Sequence, residues 1–390
     1  MNLDNMIPYG KQDITKRDIE EVVKILQSDF LTQGPTINSF EEVLCGYTGA
    51  KFSTTVNSCT SALHIACLAL DLGPGDILWT SPITFVASAN CAIYCGASVD
   101  FVDIDPDTAL MSVEKLKEKL NNAKKIGKLP KIIVPVHCAG QPCDMKEIHA
   151  LSQEYNFKII EDAAHAIGAR YLSDKVGSCR YSDITVFSFH PVKIITTAEG
   201  GVAMTNSHKL AKKMRLLRSH GVTREQFSMT KLSDGDWYYQ QIDIGFNFRM
   251  TELQAALGIE QMKRLDDYVA KRHILQKRYN SMLNNLPLTT LHQNHYSYSA
   301  LHLYTVQINK QYTNKNRKQI FNELRENNIG VNVHYIPVHT QPYYLNMGFD
   351  YGDFPNAESY YLKTISLPMF PKLSFEDQDR VIHVLKSVIQ

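Results

Sequence analysis

The chain has 390 residues, enough to bury one large core and part of a second. Its 41 basic and 40 acidic side chains leave a net charge of +1, which argues against a chain-wide basic surface for nucleic acid or a polybasic membrane patch. No apolar stretch approaches the roughly 20 residues a membrane helix needs, and the eight cysteines form no CxxC pair, so they read as reduced thiols of a cytoplasmic enzyme with no metal centre.

Residues 1–9 have no basic segment followed by an apolar one, so no secretory signal is expected there. From about 50 to 206 short apolar runs alternate with amphipathic stretches. The runs 77–80, 98–102, 131–136, 157–160, 184–189 and 201–205 predict strands, while 60–70, 84–95, 112–123, 145–155 and 207–218 predict helices. This alternation implies an α/β fold, a mainly parallel sheet covered by helices. Residues 251–284 predict one long helix, with Leu253, Ala256, Leu257, Ile259 and Met262 on one side. Beyond it the texture changes. A strand is expected over 303–308, a helix over 316–327, a strand over 331–336 and a closing helix over 375–389, which together read as a smaller α+β domain. The expected division is an arm over 1–15, a large domain over 16–255, and the connecting helix with the small domain over 256–390.

Several positions carry side chains suited to chemistry. Val56-Asn57-Ser58-Cys59-Thr60-Ser61-Ala62-Leu63 opens a helix whose first turn has free N–H groups, the positive dipole end and small hydroxyl or thiol side chains, a fit for a phosphate dianion. Ordinary capping by Asn57 or Ser58 explains the same residues. Phe85, after a Pro turn, is placed to cover an aromatic ring or simply to fill the core. Asp162 ends the run 157–160 at the carboxyl edge of the sheet, where open α/β sheets bind ligands. A carboxylate there is costly to desolvate unless a cation meets it; the alternative is a helix N-cap. His165 is either a contact to a ligand oxygen or a packed, hydrogen-bonded histidine.

Lys193 follows the buried run 184–189 in Ser188-Phe-His-Pro-Val-Lys193. Most lysines lie on the surface, but Pro191, Val192, Ile194 and Ile195 would desolvate this amine and lower its pKa, as a nucleophile requires. Ser188 has a hydroxyl to offer a phosphate. A lysine and an acid, each at the end of a buried strand, point to pyridoxal phosphate (PLP), with Lys193 as the Schiff base and Asp162 on the pyridine nitrogen. Competing signatures are absent: there is no GxGxxG after a strand, no GxxxxGK[ST], no GxSxG and no HExxH.

Seven segments taken together resemble the DegT/DnrJ/EryC1/StrS family of PLP-dependent sugar aminotransferases, a branch of the fold-type I (aspartate aminotransferase-like) enzymes. They are Leu31-Thr-Gln-Gly-Pro35, the helix start at 57–63, Glu161-Asp-Ala-Ala-His165, the Lys193 segment, Arg218-Ser-His-Gly221, Gly245-Phe-Asn-Phe-Arg-Met-Thr-Glu252 and Val331-Asn-Val-His-Tyr-Ile-Pro337. The resemblance implies that Lys193 carries the cofactor and later shuttles a proton, that Asp162 holds the pyridine nitrogen with His165 near the ring oxygen, and that Cys59, Thr60 and Ser188 cradle the phosphate. Many members have Gly where this chain has Cys59, so the contact there is expected to be mostly backbone. It also implies that Asn247 reaches the site from the partner subunit of an obligatory homodimer. Tyr9, Asp29, Phe30, Leu31, Thr32 and the run Asn332, Val333, His334 and Tyr335 are expected to line a sugar-nucleotide site. Arg249 is a cation for a carboxylate or a diphosphate, or else part of a structural ion pair. Within the family the motifs most resemble the pseudaminic acid branch, which implies L-glutamate as donor and a UDP-linked 4-keto-6-deoxy-N-acetylhexosamine as acceptor. Another sugar 3- or 4-aminotransferase is the nearest rival. A dehydratase would have histidine in place of Lys193, and a non-catalytic protein on this fold would have lost Asp162 or Lys193.

Overall fold

A computed structural model describes residues 6–309 and 313–389; residues 1–5 of the expected arm lie outside them. The main sheet comprises β1 (Phe52–Val56), β2 (Ile77–Thr80), β3 (Ser98–Phe101), β4 (Ile132–Val134), β5 (Lys158–Asp162), β6 (Ile184–Ser188) and β7 (Gly201–Thr205). Their spatial order is β1-β7-β6-β5-β4-β2-β3, with β7 antiparallel to both of its neighbours and the other six strands parallel to one another. The parallel strands are buried on both faces, which is why they read as continuous apolar runs. The exception is β1, Phe-Ser-Thr-Thr-Val: Ser53, Thr54 and Thr55 are buried too. Their hydroxyls and small size hide a core strand from any hydropathy pattern, although Thr and Val suit a pleated strand well.

Helix α1 (Lys16–Leu26) packs against the helix over 252–262, and α2 (Pro35–Thr48), α3 (Cys59–Ala69), α4 (Ala87–Tyr94), α5 (Val113–Lys125), α6 (Met145–Tyr155) and α7 (His208–Arg218) cover this sheet. Several start where the sequence supplies a cap: Ser58, Ser112 and Ser207 each accept a hydrogen bond from the third helical N–H, and Thr15 forms a capping box with Asp18. For α2 the cap comes from far along the chain. Gly34 has no side chain to offer, and the buried Glu252 carboxylate accepts from Gly34 N (3.0 Å) and Thr36 N (2.7 Å). A Cβ on Gly34 would lie 2.8 Å from that carboxylate, so the glycine is needed for the approach. Thus the segments 31–35 and 245–252 meet each other, with Thr32 bridging Thr251 and Glu252 N bonded to Leu31 O.

The expected single helix over 251–284 is two, α8 (Glu252–Met262) and α9 (Leu265–Leu283). Arg264 leaves helical geometry (φ −111°, ψ 4°), and its guanidinium reaches Asp18 at 2.7 Å and Glu260 at 3.3 Å. Those two acids are almost wholly buried, and the break brings a cation to them. The expected domain boundary at 255/256 falls inside α8.

The C-terminal sheet has β8 (Leu288–Thr290), β9 (Tyr304–Ile308) and β10 (Thr364–Leu367), in the order β8-β9-β10 and antiparallel throughout. With it go α10 (Arg317–Glu326), the short α11 (Pro342–Leu345), α12 (Pro355–Lys363) and α13 (Phe375–Ile389). The expected strand over 331–336 does not form; its one ladder contact is the bridge from Asn332 to Ser366. A strand sends alternate side chains to opposite faces, whereas Asn332, Val333, His334, Tyr335 and Ile336 all line a single cavity. Among the described residues no helix is long and apolar enough to cross a membrane, and no cluster of His, Cys, Asp or Glu fits a metal ion.

Candidate active site

A cavity of about 680 Å³ opens at the carboxyl ends of β5 and β6, between the main sheet and the loop 332–336, the position at which open α/β sheets bind ligands. Asp162, the last residue of β5, is 5% exposed. Its Oδ2 accepts from Ser88 Oγ at 2.5 Å and its Oδ1 from Ala164 N at 3.0 Å. It forms no ion pair among the described residues. A buried carboxylate with hydrogen bonds but no cation suits a cationic ligand group.

Lys193 lies on the irregular segment between β6 and β7 and lines the same cavity. Burial is the largest influence on its amine and lowers the pKa to about 8, with Cys59 and Asp162 pulling the other way. Ile194 and Ile195 are buried as expected, and Pro191 and Val192 are half-buried. The amine therefore has a substantial uncharged fraction near neutral pH, as imine formation demands.

The start of α3 faces this pair. Ser58 does cap the helix, accepting from Ser61 N at 3.1 Å, and the capping leaves the amides of Cys59 and Thr60 without intrahelical acceptors. Both residues line the cavity, as does Ser188 at the end of β6. Gly201 at the start of β7 backs this turn: a Cβ there would lie 2.5 Å from Cys59 N. Such close backbone packing leaves a cradle of amides suited to an anion. Phe85 is 61% exposed and lines the cavity, available to cover a ring.

His165 and Tyr335 form the opposite wall. Tyr335 Oη lies 2.9 Å from His165 Nε2, and the rings are stacked with centroids 5.9 Å apart. Burial, then the charge of Lys193, push His165 well below the ordinary histidine pKa, so the imidazole is neutral. Burial raises the Tyr335 phenol well above its usual value. His334 bonds Ser366 Oγ at 2.8 Å and is lowered to about 3, again chiefly by burial. Tyr9 packs on His334 with centroids 5.4 Å apart, and Tyr9, Asn332 and Val333 also line the cavity.

Other expected site residues lie elsewhere in the chain. Asp29, Phe30, Leu31 and Thr32 are exposed between α1 and α2 and do not line the cavity. Asn247 is exposed beside the α3 start: its carbonyl faces Asn57 Nδ2 at 3.5 Å, and its backbone bridges Ser219. Arg249 is half-buried and also outside the cavity. Conversely, Ser88, Ala164, His190, Glu199, His302 and Gln341 line it and were not singled out. Ser88 follows the Pro82 turn by six residues, and no local pattern marks it as the partner of Asp162. His302 sits in an ordinary apolar stretch.

The residues present fit PLP on four counts: an unpaired buried carboxylate for the pyridine nitrogen, an amide cradle for the phosphate, an amine of lowered pKa, and a neutral imidazole whose Nδ1 has no partner.

Comparison with known proteins agrees with this geometry. The DegT/DnrJ/EryC1/StrS aminotransferase family model matches residues 12–386. SpsC of Bacillus subtilis, a spore coat polysaccharide biosynthesis protein, is 39% identical over 389 residues, covering 99% of this chain and 98% of SpsC. The UDP-4-amino-4,6-dideoxy-N-acetyl-β-L-altrosamine transaminase of Campylobacter jejuni is 35% identical over 386 residues, with 99% and 98% covered. PseC of Helicobacter pylori, an aminotransferase involved in the biosynthesis of pseudoaminic acid, has the same fold at a TM-score of 0.90, with 31% identity and 99% of each chain covered. Spr1654 of Streptococcus pneumoniae in its PLP form matches at a TM-score of 0.88, with 31% identity and 98% of each chain covered. Lineage and cavity agree on the chemistry: this chain belongs to the DegT/DnrJ/EryC1/StrS aminotransferase family and is a fold-type I, PLP-dependent sugar aminotransferase.

Proposed function

We propose that this enzyme moves the amino group of L-glutamate to C4 of a UDP-linked 4-keto-6-deoxy-N-acetylhexosamine, giving UDP-4-amino-4,6-dideoxy-N-acetyl-β-L-altrosamine for pseudaminic acid biosynthesis. The observation that carries the aminotransferase part is the amine of Lys193, with its pKa near 8, in one cavity with the unpaired Asp162 carboxylate. The substrate part is supported by the named activity of the Campylobacter relative and by the fold shared with PseC.

When bound, the cofactor supplies an aldehyde that links to amines and a ring that takes up an electron pair. Lys193 is the amine that would hold it, and once free the same amine would take the α-proton of glutamate. In the second half-reaction the same amine delivers a proton to C4 of the sugar. A pKa of about 8 suits both duties near neutral pH. Asp162, its own position fixed by Ser88 and Ala164 N, would keep the pyridine nitrogen protonated. The amides of Cys59 and Thr60 with the Ser188 hydroxyl would hold the phosphate, and Phe85 would cover the ring. His165 would meet the ring oxygen, and Tyr9 and Asn332 to Tyr335 would face the sugar.

The same reading makes the enzyme a homodimer with shared active sites. Asp29 to Thr32 and Asn247, exposed in one protomer, would serve the partner's cavity. Its support is apolar surface: Phe227, Leu232, Trp237 and Ile244 stand at least 72% exposed on the segment before Asn247. An arm over 1–15, a large domain over 16–255 and the connecting helix with the small α+β domain over 256–390 belong to it too, as does a cytoplasmic setting, in keeping with eight free thiols.

One observation favours a second reading: SpsC is the more similar relative, at 39% against 35%, so the acceptor is alternatively another nucleotide-linked keto sugar. Mass spectrometry of products from a panel of UDP-linked 4-keto sugars with glutamate separates the two. The altrosamine product is expected; amination only of a different keto sugar would replace the first reading with the second.

A further inference from the structure

His302 lies 4% exposed in the cavity wall, and its buried Nδ1 has no hydrogen-bond partner among the described residues. Its ring packs on that of His165, with centroids 4.4 Å apart and planes tilted by 43°. Burying a polar atom without a partner is unfavourable, and an apolar residue would avoid that cost. The placement of His302 is nevertheless strongly determined.

Three features converge on its backbone. Leu301, immediately before it, is held at φ +49°, a left-handed conformation that a branched side chain rarely adopts. The turn at Ala139 and Gly140 is also left-handed (φ +57° and +101°) and docks on this segment through Ala300 N to Gly140 O (3.0 Å) and Leu303 N to Ala139 O (3.3 Å). A Cβ on Gly140 would lie 2.8 Å from Leu301 N, 2.9 Å from His302 N and 3.0 Å from His165 O, so this one glycine lets the two histidine backbones approach. From the far side Arg272, fully buried in α9, donates through Nη1 to the carbonyls of Leu301 (3.2 Å), His302 (3.0 Å) and Met369 (2.9 Å). Strain, a close backbone approach and a buried guanidinium thus all serve to present one imidazole to another.

We propose that His302 is a positioning residue of the aminotransferase reaction, acting through His165: its ring holds the His165 imidazole in the orientation that engages Tyr335 at the cavity wall. The proposal rests on the aminotransferase reading of the cavity and not on the identity of the sugar. The titratable groups facing His165 are Tyr335, His302, Lys193 and His334. With Lys193 so near, a second cation at His165 would compete with it.

The test uses the holoenzyme of three forms: native, His302→Ala and His302→Phe. The rate of cofactor conversion by saturating glutamate is followed by absorbance, and the pKa of His165 by NMR of labelled histidine. Native His165 is expected to titrate well below 6.5. In His302→Ala the rate constant should fall by about 10- to 100-fold, since a misplacement of order 1 Å costs about that much. The half-saturating glutamate concentration should stay within about twofold, and the His165 pKa should rise towards its ordinary value as burial is relieved. His302→Phe, which keeps a flat ring, should restore both readings. The proposal is overturned if His302→Ala leaves the rate constant and the His165 pKa unchanged, if it merely weakens cofactor binding or thermal stability, or if His302→Phe is as impaired as His302→Ala. Failure of glutamate to convert the native enzyme would refute the donor assignment alone, and the His165 titration would still decide the proposal.

Discussion

The two walls of the cavity are made differently. On the sheet side, Asp162 and Ser188 end buried strands, the Cys59 turn opens a helix, and Lys193 follows β6 directly. On the C-terminal side, His302 and Asn332 to Tyr335 come from irregular segments held by a strained turn, a bridge to Ser366 and a buried arginine. Groups assigned to the cofactor thus stand at or just beyond the ends of rigid elements. Groups assigned to the sugar stand on loops, which tolerate change without disturbing the sheet.

The sharpest way to break this contrast is to attack the sheet wall. Lys193→Ala should still take up the cofactor in its amine form, since Asp162 and the amide cradle remain, yet turnover should fall by at least about 1000-fold with loss of the general acid/base. Steady-state assay beside equilibrium dialysis reads both. Asp162→Ala should cost about 100-fold in rate and weaken cofactor affinity as well, because the ring nitrogen loses its anion; titration of the absorbance band measures the second effect. Cofactor capture by the cofactor-free protein needs the uncharged amine. With the amine lowered from 10.5 to about 8, the capture rate should rise about tenfold per pH unit below 8 and level off above it. A rise continuing to about pH 10 would mean that the amine is not desolvated.

The loop wall should yield smaller, substrate-dependent losses. Tyr335→Phe removes the hydroxyl from His165 and should cost about tenfold, near the worth of one hydrogen bond. Ser88→Ala, back on the sheet side, leaves Asp162 its bond from Ala164 N and should cost only a few-fold.

The same division governs what could be read from sequence. Buried parallel strands write themselves as apolar runs, so the ends of β5 and β6, and with them Asp162, Ser188 and Lys193, were legible. The strand β1 was not, because its core is built of Ser and Thr. The 331–336 segment looked like a strand by composition but has to turn successive side chains to one cavity, and the helix at 251–284 breaks where two buried acids need Arg264. Ser88 and His302 act on residues 74 and 137 positions away, a relation that no local pattern encodes. The exposed positions 29–32 and 247 came from family resemblance, and a single protomer gives them no ligand to meet.

The central claim is that Lys193 forms the covalent link to PLP. Borohydride reduction of the PLP-loaded protein, followed by peptide mass spectrometry, tests it directly. The account predicts one reduced phosphopyridoxyl adduct, on the peptide containing Lys193. A colourless protein with no adduct, or an adduct confined to another lysine, would contradict it.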